Sequence, residues 1–234
     1  MRNQRAEEAA ARVLVEALRL SRDNGSLSLD EIASKARTSR AFAQDSLSNA
    51  LGRVSVSHLS VNPLVRFHLA MKASKAASLT EIAKTLTWQE FEKFTEECLW
   101  EAGFKAERNV RVKGSKRSWQ IDVVGSRGQL LLSFDCKNWK PPNSPSRFKN
   151  AIQHQREATR ALLASIALKN SPRQTVCALP VILALHDPPA STSGGVILLS
   201  IQKLPDFLEK VSPYYEGLPF ISSNGSTAEN SIKE

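Results

Sequence analysis

The sequence predicts an α/β protein in which a helical N-terminal region precedes a core of order α-β-β-β-α-β-β-α built on a mixed sheet. Three observations carry this prediction. Segments 87–104 and 146–169 repeat their apolar residues at helical spacing. Between them lie three strand-like segments, KAERNVRVKG, SWQIDVVGS and QLLLSFDCKN, separated by the polar turns GSKR and Ser126-Arg127-Gly128. After the second helix come two apolar runs, QTVCALPVILALHD and GGVILLSIQ, rich enough in Val, Ile and Leu to be strands covered on both faces.

From the N-terminus, residues 6–21 form an amphipathic helix with Ala10, Val13, Leu14, Ala17 and Leu18 at helical spacing, and Asn24-Gly25 ends it. A second helix starts at Ser28, its N-cap, with Glu31 three residues on as in a capping box. A third follows the turn RTS, capped by Ser39 and stopped by Gly52. The alternating stretch RVSVSHLSV then reads as a small wing strand. Helix, helix, turn, helix and strand resemble a winged-helix domain over residues 1–60. A third helix in that role would enter a DNA groove with Arg40, Gln44 and Ser48 outward. Residues 61–86 are read as a helical linker, with Pro63 in a first turn and Leu64, Phe67, His68 and Met71 as a stripe. The core spans 87–212. In its opening helix Thr87 is the cap, Phe91, Thr95, Cys98, Leu99 and Ala102 line one face, and Gly103 is the stop. LPDFLEKV adds a last short helix, and 213–234 reads as a flexible polar tail.

The 234 residues carry a net charge of +9 and are 41% hydrophobic, a globular balance whose basic excess fits a polyanionic partner. Cys98, Cys136 and Cys177 are far apart, with no CxxC or Cys/His spacing, which argues against a disulfide framework or a zinc site and fits a cytoplasmic setting. The charged N-terminus lacks the apolar stretch of a signal peptide, and no apolar run is long enough for a membrane span.

The chemistry concentrates in the stretch IDVVGSRGQLLLSFDCKNW, residues 121–139. If its two strands turn near Arg127–Leu130, Asp122 and Asp135 fall opposite each other, where like charges oppose pairing. Lys137 leaves the strand on the same face as Asp135, while Cys136 points the other way and packs. Two carboxylates and an ammonium converge, and hard oxygen donors of this kind select Mg²⁺ or Mn²⁺ for work on phosphates. The Cys136 backbone carbonyl is a further oxygen donor.

This pattern resembles the PD-(D/E)XK nuclease superfamily, in its Mrr-like and archaeal Holliday junction resolvase-like branch of restriction endonuclease-like folds. The resemblance covers roughly 85–212. It rests on Phe91-Glu92 and Gly103-Phe104 in the opening helix, Asp122 on the second strand, and Asp135-Cys136-Lys137 on the third, followed by a Gln-bearing helix. Ile121 stands where the signature has Pro, and Asp135 where this branch usually has Glu. The resemblance implies an αβββαβ core, a Mg²⁺ (or Mn²⁺) held by Glu92, Asp122, Asp135 and the Cys136 carbonyl, and Lys137 assisting the attacking water. It also implies DNA cleavage, often by homodimers. Six Lys/Arg between 105 and 117 stand beside this site, and Arg108, Arg111, Lys113, Lys116 and Arg117 form a backbone-contacting patch. Lys140, Gln153 and Gln155 complete the DNA-contacting set. The other readings are a Holliday junction resolvase, a non-catalytic DNA-binding regulator that keeps the fold, and an RNA-directed nuclease, for which the sequence offers no stacking platform.

Overall fold

The computed structural model describes residues 2–52, 57–114, 117–138, 145–167, 176–215 and 217–222. The chain divides into two compact units, 1–94 and 95–234. The first contains α1 (Arg2–Leu20), β1 (Ser26–Ser28), α2 (Leu29–Ala36), α3 (Arg40–Leu51), β2 (His58–Ser60), α4 (Pro63–Ala73), α5 (Leu79–Ala83) and the start of α6 (Trp88–Glu101). Side-chain caps set the helix starts: Ser28 Oγ accepts from Asp30 N–H, Ser39 Oγ from Phe42 N–H, and Asn62 Oδ1 from Val65 N–H. Of the alternating stretch read as a strand, His58–Ser60 forms β2. It pairs antiparallel with β1, a strand the sequence reading did not foresee, with Leu27 opposite Leu59. Residues 53–56 of that stretch lie outside the described residues. Leu18, Leu29, Ile32, Leu47 and Leu69 are fully buried in this unit, each such burial stabilising by roughly 1.5–3 kcal/mol.

In α4 the buried face is not the stripe read from the sequence. Leu64 is 56% exposed and His68 is exposed, while Arg66, Leu69, Ala70 and Ala73 turn inward. The cause is Arg66, whose guanidinium donates to Leu18 O, Ser21 Oγ, Thr85 O and both oxygens of Glu90. A buried charge so fully partnered is tolerated where an isolated one is not. Glu90 also closes the N-terminus of α6: it accepts from Thr87 N–H, and its own N–H donates to Thr87 Oγ1. Burial alone would raise the Glu90 carboxyl, but the bonds from Arg66 and Thr87 outweigh it and hold it below its ordinary value.

The second unit holds the rest of α6, then β3 (Lys105–Lys113), β4 (Ser118–Arg127), β5 (Leu130–Lys137), α7 (Pro145–Ala167), β6 (Cys177–Ala184), β7 (Thr192–Ser193), β8 (Val196–Ser200), α8 (Leu204–Lys210) and β9 (Ile221–Ser222). The sheet runs β3-β4-β5-β6-β8-β7, with β9 pairing β6. β3, β4 and β5 are antiparallel neighbours, whereas β5, β6 and β8 are parallel, so the sheet is mixed as expected. β4 and β5 form a hairpin in which Val123 pairs with Phe134 and Arg127 with Leu130. Its two-residue loop has φ +60° at Gly128, the conformation that glycine supplies at the first position of a tight hairpin loop. Two parallel strands need a long crossover, and α7 is that crossover from β5 to β6.

Helices cover both faces of this sheet. On one, Ala158 and Leu162 of α7 pack on Val112, Trp119 and Ile121, and Phe148 and Ala151 pack on Ile182 and Val196. On the other, Leu99 of α6 lies so close to Gly125 that a Cβ there would stand 2.8 Å from it, and Glu96 ion-pairs with Arg108 at 2.6 Å. β8 is buried along its whole length, and β6 from Ala178 onward. The order of elements thus matches the sequence reading, with β7 and β9 added. Residues 223–234 of the expected tail lie outside the described residues. Among the described residues, no helix is long and apolar enough to cross a membrane.

Candidate active site

The β4–β5 ladder ends at Val123↔Phe134, and the next opposed residues are Asp122 and Asp135. Because the ladder stops there, the Cys136 N–H is available to a side chain, and it donates to Asp122 Oδ2 at 2.8 Å. Lys137 Nζ meets Asp135 Oδ1 at 2.6 Å. Cys136 turns to the opposite face, where its thiol reaches Thr95 Oγ1 of α6 at 3.8 Å. The hairpin therefore brings Asp122, Asp135 and Lys137 together as its spacing predicts, with the Cys136 thiol packed rather than presented.

The electrostatics of the cluster are those of a crowded anion pair. Asp135 is 6% exposed, and its Oδ2 is buried and accepts no hydrogen bond among the described residues. Burial, and then the Asp135 charge, push the Asp122 carboxyl up to about 6, against the Cys136 N–H and Lys137, which favour its ionised form. A proton on Asp122 is favoured further because it can bridge to Asp135. Lys137 relieves one carboxylate oxygen only, and its side chain is 28% exposed, at the mouth of the cluster.

A divalent cation fits this arrangement. It would take the buried oxygen that lacks a donor and remove the repulsion that holds Asp122 toward its protonated form. Among the described residues, no three His, Cys, Asp or Glu side chains gather closely enough to hold a metal by themselves. Backbone carbonyl and water oxygens would complete the shell, as is usual for Mg²⁺. Glu92 is buried on α6, 1% exposed and one helical turn before Thr95.

The remaining residues singled out in the sequence divide sharply. Gln155 is not a surface contact. It is 1% exposed, and its amide donates to Ser133 O at 2.5 Å and Ser133 Oγ at 3.0 Å. Gln155 reaches Ser133 from α7, and so ties that helix to the middle of β5. It fixes β5 two residues before Asp135 and does not reach outward to DNA. Arg108 is also turned from the expected patch, since its Nε is held by Glu96. Arg111 and Lys113 are exposed on β3. Arg117 stacks over Trp119 at 3.6 Å and reaches Glu157 at 3.4 Å. Gln153 is exposed and bonds Glu157. Arg40 pairs with Asp30 at 3.3 Å, and Gln44 is half-buried on α3. Lys116 and Lys140, with Trp139, lie outside the described residues. Sequence reasoning missed Ser133 and the role of Thr95; a hydroxyl inside an otherwise apolar strand was the available signal.

Residues 83–172 match the family model Mrr_cat, described as restriction endonuclease. A comparison with curated proteins finds no match. Among solved structures the chain is similar to the crystal structure of protein VC1899 from Vibrio cholerae. The identity is 11% and the TM-score 0.43, with 88% of this chain and 52% of that one covered. The chain thus spans about half the length of that protein. The residues that match this restriction endonuclease model include Asp122, Asp135 and Lys137, and the match is consistent with the Mrr-like PD-(D/E)XK resemblance read from the sequence.

Proposed function

We propose that the protein is a metal-dependent DNA endonuclease that hydrolyses phosphodiester bonds. The observation that carries this reading is the convergence of Asp122, Asp135 and Lys137 at the open end of one hairpin, with a buried carboxylate oxygen that accepts no hydrogen bond. Asp122, Asp135 and the Cys136 carbonyl would hold Mg²⁺ or Mn²⁺. When bound, the ion supplies a Lewis acid for a phosphoryl oxygen and lowers the pKa of a bound water.

The chain's own residues do the rest. The Cys136 N–H fixes one Asp122 oxygen and leaves the other free to turn toward Asp135. The Lys137 ammonium uses one N–H on Asp135 Oδ1 and keeps two for the phosphate oxygens as negative charge builds during attack. Gln155 and Ser133 hold β5 rigid beneath the reacting groups. Substrate binding draws on Arg111 and Lys113, which carry exposed positive charge on β3. In the first unit, the order α1-β1-α2-α3-β2 supports a winged-helix-like DNA reader with Arg40 and Gln44 on α3.

The test is cleavage of linear, methylated and four-way DNA by the purified protein, with Mg²⁺ or with EDTA. The expected result is strand cleavage that EDTA abolishes. A strong preference for the four-way substrate would assign a junction resolvase. Salt-sensitive binding without cleavage of any substrate would reject the enzyme in favour of a DNA-binding regulator.

A further inference from the structure

The β3–β4 ladder has a defect at one cross-strand pair. Arg108 pairs with Val123 and Val110 with Ile121, so no residue is inserted, yet Asn109 and Asp122 between them do not pair. Asn109 has φ +56°, left-handed backbone inside a strand, and its side-chain carbonyl accepts from Gln120 Nε2 at 3.1 Å. A left-handed conformation costs an ordinary L-residue, and Asn is among the few that tolerate it.

The two faces of the sheet show what the defect does. In a regular strand, residues four apart share a face. Here Val112 packs on α7, whereas Arg108, four residues earlier, reaches Glu96 of α6. On the partner strand Ile121 packs on Ala158 and Leu162 of α7, whereas Gly125, four residues later, abuts Leu99 of α6. Alternation therefore resets on both strands, and the Asn109/Asp122 pair lies between each pair of residues. The reset determines which way Asp122 faces. Continued from Ile121, the alternation would send Asp122 toward α6. Read back from Gly125, it places Asp122 toward α7, the face that Asp135 shares with Ser133, where Gln155 of α7 binds.

We propose that Asn109 is a positioning residue for Asp122: its left-handed backbone resets the strand so that Asp122 shares a face with Asp135 and reaches the Cys136 N–H. The kinetic consequence rests on the nuclease reading above; the geometric one does not. Two substitutions separate the cases. Glycine adopts the left-handed conformation freely, whereas valine resists it and favours regular strand.

In the full chain, Asn109→Gly should keep the Cys136 amide proton in its hydrogen-bonded position in the ¹H–¹⁵N spectrum, with slow exchange. Asn109→Val should shift that resonance and speed its exchange. In cleavage assays Asn109→Val should lower kcat on the order of 10- to 100-fold with KM nearly unchanged, and Asn109→Gly should restore it. If Asn109→Val does not fold, Asn109→Ala serves in the same comparison. An unchanged Cys136 amide in the valine or alanine variant overturns the proposal, as does equal damage by glycine and valine. If the wild type cleaves nothing, the nuclease reading fails and the amide measurement still decides the role of Asn109.

Discussion

Asp122 sits in a site that costs stability. Its carboxyl is pushed up to about 6 by burial and by Asp135, so the folded protein binds that proton more readily than the unfolded chain does. The resulting stabilisation is fully present below the unfolded value near 4 and is lost as pH rises through 6. Thermal melts of the metal-free protein should therefore show stability falling between roughly pH 4 and 6.5, by on the order of 2 kcal/mol. Asp122→Asn should raise the Tm at pH 7 by several degrees while abolishing cleavage, the trade expected where function holds like charges together. Mg²⁺ should reverse part of the wild-type deficit and leave the variant's melt unmoved. At limiting Mg²⁺ cleavage should rise with pH through the same window, because the proton on Asp122 competes with the cation, and saturating Mg²⁺ should move the rise to lower pH. The pairing of Asp122 with Asp135 was legible in the sequence, since the two flank a Gly-containing turn at equal distance. The direction each side chain takes was not, because it depends on a backbone conformation at Asn109 that no apolar pattern encodes.

At the scale of elements, β5 is held from both faces by polar contacts the sequence did not reveal. Gln155 from α7 bonds Ser133, and Thr95 from α6 meets the Cys136 thiol. Gln155→Leu keeps the volume but leaves Ser133 oxygens buried without that donor. It should cost about 1–3 kcal/mol in urea melts and lower kcat without weakening DNA binding. An outward-reaching Gln155 would give the opposite pattern, with weakened binding and unchanged stability. Polarity suggested an exposed Gln155, and polarity misleads where a buried side-chain amide meets a buried hydroxyl and carbonyl such as those of Ser133. The same reasoning failed in α4, where a buried face organised by Arg66 displaced the apolar stripe. Elements whose burial is largely apolar, such as β6 and β8, fall inside the apolar runs read from the sequence.

For the molecule as a whole, the +9 charge sets binding rather than chemistry. DNA affinity should fall steeply with salt, and Arg111→Ala and Lys113→Ala should each reduce the slope by about 1 on a log–log plot if each contacts a phosphate. Filter-binding titrations between low and moderate salt check this. Arg108→Ala should leave the slope unchanged, because its guanidinium is committed to Glu96.

The central claim is that Asp122, Asp135 and Lys137 form one hydrolytic site, and Lys137 tests it most directly. Its side chain is 28% exposed against 8% for Asp135, and its loss should not unfold the sheet. The single-turnover cleavage rate of Lys137→Met, compared with wild type in Mg²⁺ at matched DNA occupancy, should fall by about 100-fold or more. A rate equal to that of the wild type would contradict the account.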